Sequence, residues 1–434
     1  VARILLIGRG PLPSTDPDQL GFPQLRTAAF QRALQDHDVT TVLLQPGGAS
    51  DLHVDPLDAH ALDAVIALRE RVAPDVVVTA GPYEPARFGA LCVGDEPLFV
   101  DVPGDPFAEA QAKAAVDASA DHVAAMRQAW APAYARGDAF GAVSASQRLA
   151  LLGQLGWLGR LGDAPADHPW VQVIPVSAWF GALPSGSPRA RAPGTPLQVA
   201  LCGGYNTWLD GDTLLQGLHL AMDALPGLTV LSTGGAIQGH HESAYARFRT
   251  GALESAHADR FTFHGWVAHD RLPGLLRGAD VGLCMDRPGL EPELGSRTRV
   301  LFYADQGLQV AATPCSDLTR ELADAGLITA LAPGSPESVC AALIQLTEQG
   351  RPGTVDLQSH VRRHHDLAES TRGLLAWLES GPARTRPGQV PSAALAVEIA
   401  DLRRQLAAVH QSPTWRAASA TSQALKRLPE LFRK

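Results

Sequence analysis

The chain has 434 residues, 45% of them apolar and 19% charged, with a net charge of −9. That composition excludes a disordered chain, and the acidic balance excludes general electrostatic binding to nucleic acid, which needs a basic face. Five scattered cysteines, Cys92, Cys202, Cys284, Cys315 and Cys340, form no Cys-x-x-Cys pair, so they indicate neither a disulfide framework nor a zinc site and fit a reducing cytoplasm.

Apolar runs of strand length alternate with helical patterns along the chain. The opening run Val1–Gly8 is too short for a signal peptide and reads as a buried strand, and no apolar run reaches the ~18 residues of a membrane span. Strands are expected at Arg3–Gly8, Val39–Leu44, Asp75–Thr79, Pro97–Asp101, Phe140–Ala145 and Val171–Val176, with helices between them at Ala61–Val72 and Ala108–Trp130. Such alternation implies a parallel sheet covered by helices on both faces. The stretch 184–196 holds four prolines and cannot continue a helix or a central strand, so it marks an interdomain linker. Alternation then restarts, with strands expected at Leu197–Cys202, Leu228–Thr233, Phe261–His264, Val281–Met285, Gln309–Thr313 and Leu327–Leu331. Helices are expected at Asp212–Ala224, His241–Thr250, Arg297–Asp305 and Glu337–Glu348. The expected organisation is therefore an α/β domain over 1–183, the linker 184–196, a second α/β domain over 197–379, a linker over 380–391 and a helical tail over 392–434.

In the tail, Leu395, Ile399, Leu402, Leu406 and Val409 make a short heptad seam, a candidate homodimer contact. From Arg416 onward five basic residues face one acid, a net of +4, which leaves −13 on the rest. A basic, Trp-flanked end suits an anionic membrane surface.

Four segments have the composition of ligand-binding turns. The first βα turn, Gly8 to Gly21, lacks the third glycine of a dinucleotide fingerprint, which weighs against a dehydrogenase. Its end near Gly21 and Arg26 could border an anion beside a helix N-terminus. The turn Gly203-Gly-Tyr-Asn-Thr207, with Asn206 and Thr207 as donors and a helix starting near Asp212, is a plausible phosphate cradle. Gly234-Gly235 ends the next strand, and His240-His241 after it lack a partner at ligand spacing, so no metal is expected. The richest stretch is Asp286 to Arg299. Glu291 and Glu293 sit in a Gly/Pro loop, and Ser296, Arg297, Thr298 and Arg299 open a helix, where cations oppose the macrodipole unless they face an anion. The competing reading is that Arg297 and Arg299 pair with Glu291 and Glu293 as a loop clamp.

The sequence resembles GT-B glycosyltransferases of the retaining family 4 type, over Arg3 to about Glu379. The segments that carry the resemblance are GGYNTWLDGDTL (203–214), STGGAIQGHHESAYARF (232–248), FHGWV (263–267), LLRGADVGLCM (275–285) and ELGSRTRVLFYADQGLQVAAT (293–313). VDVPGDPFAEAQA (100–112) and VSASQRLALLGQLGWLGRL (143–161) add to it in the first half. SPTWRAAS (412–419) is similar to tails on bacterial surface-polysaccharide transferases. The resemblance implies two Rossmann-like domains facing across a cleft, with a nucleotide-sugar donor on the second and a glycan or lipid-linked acceptor on the first. It implies no metal and no cofactor beyond the nucleotide-sugar co-substrate. Localisation would be cytoplasmic, peripheral on the inner membrane face.

Carried over by residue, Gly203 and Gly204 would face the diphosphate, while Gly235, Gly265, Trp266 and Val267 would line the nucleotide pocket. Glu293 would open the acidic loop at the donor sugar. Two departures stand out. The family's basic pair falls on Gly204 and Leu209, and its second acid on Phe302, with Asp305 a poor substitute one turn on. Arg297 and Arg299 are the candidates to supply the missing positive charge, and Asp105 is the acid to test in the first domain. The expected reaction is glycosyl transfer with retention, the leaving phosphate taking the acceptor proton. The rivals are a degenerate GT-B protein that binds a nucleotide or partner without turnover, and a nucleotide-sugar epimerase.

Overall fold

The computed structural model describes residues 1–13, 20–45, 50–117, 119, 121–162, 164–181, 183–237, 242–350 and 356–385, together with Ser412 and Trp415. The chain divides into Val1–Pro387 and Gly388–Lys434, and every element named below belongs to the first of these. Apart from Ser412 and Trp415, the heptad and basic tail of 392–434 lie outside the described residues, as do His240 and His241.

The first sheet comprises β1 (Arg3–Arg9), β2 (Asp38–Leu44), β3 (Leu52–Val54), β4 (Val76–Thr79), β5 (Leu98–Val102), β6 (Ala139–Ala142) and β7 (Val171–Val173). All are parallel, in the order β3-β2-β1-β4-β5-β6-β7. Its helices are α1 (Phe22–Ala33), α2 (Ala61–Val72), α3 (Glu84–Cys92), α4 (Pro106–Asp117), α5 (Asp121–Arg136) and α6 (Ala145–Trp157). The second sheet comprises β8 (Gln198–Leu201), β9 (Thr229–Thr233), β10 (Phe261–Gly265), β11 (Val281–Cys284), β12 (Gln309–Ala312) and β13 (Thr329–Ala330), again parallel, in the order β10-β9-β8-β11-β12-β13. The helices that follow β8 in the chain are α7 (Gly211–Ala224), α8 (Glu242–Leu253), α9 (Leu272–Leu276), α10 (Leu290–Leu294), α11 (Thr298–Asp305), α12 (Asp317–Asp324), α13 (Pro336–Gln349), α14 (Asp356–His364) and α15 (Leu367–Glu379).

Strand β1 shows why both faces must be apolar. Ile4, Leu5, Leu6 and Ile7 are all fully buried. Leu5 and Ile7 pack with Val65 of α2, Phe88 of α3, Trp130 of α5 and Leu151 of α6. Ile4 and Leu6 pack with Phe30 of α1, with Leu34 just after that helix, and with Leu374 and Trp377 of α15. The last helix therefore covers the first sheet, although its sequence position places it with the second domain. A third apolar cluster runs across the seam between the sheets, joining Val143, Val176 and Phe180 to Leu301 and Phe302 of α11.

Several boundaries differ from the sequence reading. The helix expected at Ala108–Trp130 is two, α4 and α5. Ser119 accepts the Asp121 amide on its hydroxyl at 3.2 Å, a local side-chain bond that competes with helix continuation. Strand β3 escapes the reading because three residues, Leu-His-Val, carry no usable period. The proline-rich stretch 184–196 contains no helix or strand, yet it is strapped to the second domain: the Gly186 amide donates to Asp305 O and the Gly194 amide to Thr347 O, at 3.1 and 2.9 Å.

Candidate functional site

In open parallel sheets, ligands gather beyond the carboxyl ends of the strands where the winding direction reverses. In the second sheet that point lies between β8 and β11. The turn after β8 holds Gly203 and Gly204, and the segment after β11 runs from Asp286 to Arg299. The topology alone brings together the two richest segments of the sequence.

Three turns are laced edge to edge there. The Gly203 amide donates to Thr233 O at 3.1 Å, Tyr205 N to Gly235 O at 2.9 Å, and Gly234 N to Gly265 O at 2.7 Å. Tyr205 and Ala236 form an isolated bridge that extends the pairing. Gly234 has φ +87°, and a Cβ on it would lie 2.1 Å from Gly203 O, so only glycine lets the two turns touch. Ile237 packs against Gly204 so closely that a Cβ there would meet its Cδ1 at 2.1 Å. The Trp266 indole stands over both turns, 3.5 Å from the Cβ positions of Gly204 and Gly235. Gly265 has φ +66°. Asn206 and Val267 are half-buried, and Thr207 is buried.

The three arginines of the sequence reading have three different fates. Arg26 is 4% exposed and fully engaged. Its Nε and Nη2 donate to the two oxygens of Asp101 at 3.0 and 2.8 Å, and it also reaches Ile174 O and Pro175 O, each at 2.9 Å. The expected anion border at Arg26 is thus corrected: its charge is neutralised inside the protein by Asp101, whose Oδ2 also accepts the Gly81 amide at 3.0 Å. Gly21, at the N-terminus of α1, donates its amide to Gln24 Oε1 at 3.1 Å.

Arg297 is the clamp. Its Nε donates to Asp286 Oδ2 at 2.6 Å and its Nη2 to Glu291 Oε2 at 2.9 Å. Its partners are Asp286 and Glu291, not Glu293, and all three groups are buried. One guanidinium serves two carboxylates, with the shorter contact going to Asp286. Burial pushes the Glu291 carboxyl up to about 7; Arg297 opposes the shift and Asp286 adds to it. Glu291 and Glu293 stand on the single-turn helix α10 rather than in a loop, and Glu293 is exposed.

Arg299 is the unpaired cation. Its Nη2 donates to Gly204 O at 2.7 Å. Among the described residues it has no carboxylate within ion-pair distance, and it is half-buried. Burial pushes the nearby Cys202 thiol up to about 11 and raises the Tyr205 and Tyr303 phenols above their ordinary range, so these neighbours are neutral. Arg299 stands in the first turn of α11, whose N-cap Arg297 gives no side-chain cap. Ser296 and Thr298, beside it, are half-buried.

Two further expectations are corrected. The helix N-terminus near Asp212 is capped rather than fully open: Asp210 caps α7 by accepting the Thr213 amide at 3.4 Å, and Arg287 pairs with Asp212 at 3.3 Å. The uncapped N-terminus beside the glycine turns is that of α11. Asp105 is no free acid either. Its Oδ1 accepts the amides of Phe107 and Ala108 at 3.0 and 2.8 Å, and Gln154 donates to its Oδ2 at 2.6 Å, so it is the buried N-cap of α4.

The acidic turn sits on the domain seam. Helix α10 packs on α4 and α6 of the first domain, and the Ser144 hydroxyl donates to Leu294 O at 3.2 Å. Ser146 donates its amide and hydroxyl to Asp317 at 2.9 and 2.7 Å. Helix α4, on which α10 packs, carries a group the sequence reading did not find: Tyr83, held at φ +64° after β4, donates its hydroxyl to Glu109, which pairs with Lys113 at 2.7 Å. Neither a strained tyrosine nor an i,i+4 Glu–Lys pair is visible as a site in one sequence. Phe302, where the resemblance implies a second acid, is 7% exposed and meets Phe180 edge-on at 5.1 Å.

Two parallel-sheet Rossmann-like domains in this arrangement define the GT-B fold. No family model matches the chain, and no curated protein matches its sequence. Solved structures do match in fold. HepE of Anabaena, solved with UDP and glucose, is 15% identical over 88% of this chain and 100% of its own, with a TM-score of 0.64. Sucrose-phosphate synthase of Thermosynechococcus elongatus is 15% identical over 88% and 100%, with a TM-score of 0.60. AviGT4, a glycosyltransferase of avilamycin A biosynthesis, is 15% identical over 89% and 99%, with a TM-score of 0.54.

Proposed function

We propose that the protein is a metal-independent glycosyltransferase that moves a sugar, with retention, from a nucleoside diphosphate donor to a glycan or lipid-linked acceptor. The observation that carries this reading is Arg299. A half-buried cation without an ion-pair partner among the described residues, fixed on a glycine turn at the end of a strand, has charge left for an anion brought from outside. The Gly203–Gly204 turn and the uncapped start of α11 add backbone donors at the same place. HepE, of the same fold, has also been solved with UDP-glucose, which supports a diphosphate as that anion. In this reading Arg299 and the turn stabilise the leaving diphosphate, Trp266, Gly265 and Val267 border the base, and exposed Glu293 meets the donor sugar. Arg297 acts indirectly, by fixing the turn that carries Glu293.

The test is a thermal-shift panel of nucleoside diphosphates on the wild type and on Arg299→Ala. A ligand at 100 times its dissociation constant stabilises by about 2.7 kcal/mol. Loss of one charge-assisted contact weakens binding by about 10- to 100-fold. Arg299→Ala and Glu293→Gln should each cut transfer by about 100-fold or more. Nucleotide affinity and turnover unchanged in both variants would refute the assignment.

One observation favours a second reading, a GT-B protein that binds a nucleotide without turnover. Phe302 replaces an acid and is locked against Phe180. Nucleotide binding with donor hydrolysis no faster than the protein-free rate would select it.

A further inference from the structure

The chain passes between its two domains twice. It leaves the first domain after β7. It returns between α14, which packs on α11 of the second domain, and α15, which packs on α1 and β7 of the first. The two crossings touch. The Ala178 amide donates to His365 O at 2.6 Å, and the Ser177 hydroxyl donates to the same carbonyl at 3.4 Å. From the turn before α9 in the second domain, His269 Nε2 stands 3.0 Å from Phe180 O. A carbonyl can only accept, so that nitrogen carries the proton. The outgoing segment Val176–Phe180 is thus held by one histidine near each end.

The chain has 15 histidines, and among the described ones only His269 and His365 are buried, at 9% and 8% exposure. Both touch this one segment. Neither ring nitrogen of His365 has a hydrogen-bond partner among the described residues. A neutral imidazole tolerates such a place far better than an imidazolium does. Compensating charge is scarce. Residues 169–188 include no titratable side chain. On α14, His360 and His364 disfavour a charge on His365; on α12, Glu321 favours one, but it already pairs with His360 at 2.8 Å. Asp270 lies beside His269 in its own turn. Arg26 of α1 bonds Ile174 O and Pro175 O at the start of the crossing. Burial outweighs the favourable groups at both sites and holds both imidazoles below their ordinary pKa.

We propose that the crossing Val176–Phe180 is a proton-sensitive joint between the domains: neutral His269 and His365 keep it closed, and acid opens it. In the closed joint the rings stay neutral below pH 6.5. In an open joint they reach water and protonate at about 6.5. The open state therefore binds the extra protons, and the closed joint loses stability as pH falls below 6.5. Two rings on one segment double the slope that one would give. A ligand that needs the closed joint should, by the same linkage, bind more weakly in acid. None of this depends on the nucleotide reading.

The test is hydrogen exchange by mass spectrometry on the full chain at pH 7.5 and 5.5, corrected for intrinsic rates. In the wild type, opening of 174–181 should rise about tenfold or more in acid, while opening of β9 should not. A His269→Gln/His365→Phe double variant, which keeps a donor for Phe180 O, should change less than about twofold. Each single variant should lose about half of the effect on a logarithmic scale, so the test stands even if the double variant folds poorly. By proton NMR of the wild type, the two imidazole resonances that the single variants remove should titrate below 6.5. A pH-independent opening, an equal rise in β9, an equal rise in the variants, or titration of both rings at 6.5 or above would each overturn the proposal.

Discussion

Arg26, Arg297 and Arg299 are the same residue type in three electrostatic situations, and the difference lies in what each was folded against. Arg26 has Asp101, Arg297 has two acids, and Arg299 has a carbonyl and, among the described residues, no carboxylate within ion-pair distance. The two-acid case has a consequence for stability. Glu291 receives only part of a guanidinium already held by Asp286, so burial dominates and its folded pKa rises from 4.5 to about 7. Between those values the folded state keeps a proton that the unfolded chain has released. Stability therefore falls as pH rises through about 4.5 to 7, the reverse of an ordinary paired carboxylate. Glu291→Gln should remove this slope. Urea unfolding across that range should show the variant gaining on the wild type as pH rises; parallel curves would contradict the assignment. The sequence listed all three arginines and named the loop clamp, because residue type and local spacing are legible. It did not identify Asp286 or Asp101 as partners, because one lies 11 and the other 75 residues away, distances that only the sheet topology closes.

At the scale of elements, the alternation of strand and helix was readable because a strand buried on both faces has to be a near-continuous apolar run. What was not readable is the contact between domains, which depends on small polar groups. Ser146 and Asp317 are unremarkable in sequence, yet together with Ser144 and Leu294 they tie the start of α6 to α10 and α12. Burial disfavours the Asp317 charge, but the hydrogen bonds from Ser146 and Arg320 outweigh it and hold its pKa below the ordinary carboxylate value. Asp317→Ala should cost about 1.5–3 kcal/mol, the range for hydrogen bonds to a charged group. It should also loosen the seam, seen as a larger radius of gyration by small-angle scattering. An unchanged radius with unchanged stability would mean that apolar packing of Phe180 and Val176 against α11 holds the seam alone.

At the scale of the molecule, the division of the chain into a first and a second half does not match the division of its cores. Helix α15 lies at positions 367–379 but buries Leu374 and Trp377 against Ile4, Leu6, Phe30 and Phe99 of the first domain. The Trp377 ring meets Phe99 at 5.2 Å. Gly373 lies so near β7 that a Cβ there would sit 3.0 Å from Val173 O. The sequence reading names no helix there, and periodicity cannot say which sheet receives one, because either sheet offers an apolar face. A fragment ending at residue 183 would therefore expose the part of that face which α15 covers, losing at least the ~1.5–3 kcal/mol per large apolar side chain that α15 contributes. It should be recovered as an aggregate or a loosely packed state, whereas a chain ending at residue 385 should unfold in one cooperative transition. The decisive control is Trp377→Ala in the full chain. It should cost about 3–5 kcal/mol, and near-ultraviolet circular dichroism or hydrogen exchange should report the loss first in β1 and α1, more than three hundred residues away in sequence. If the 1–183 fragment folds cooperatively alone and Trp377→Ala leaves exchange in β1 unchanged, α15 is an ornament on the first domain rather than part of its core.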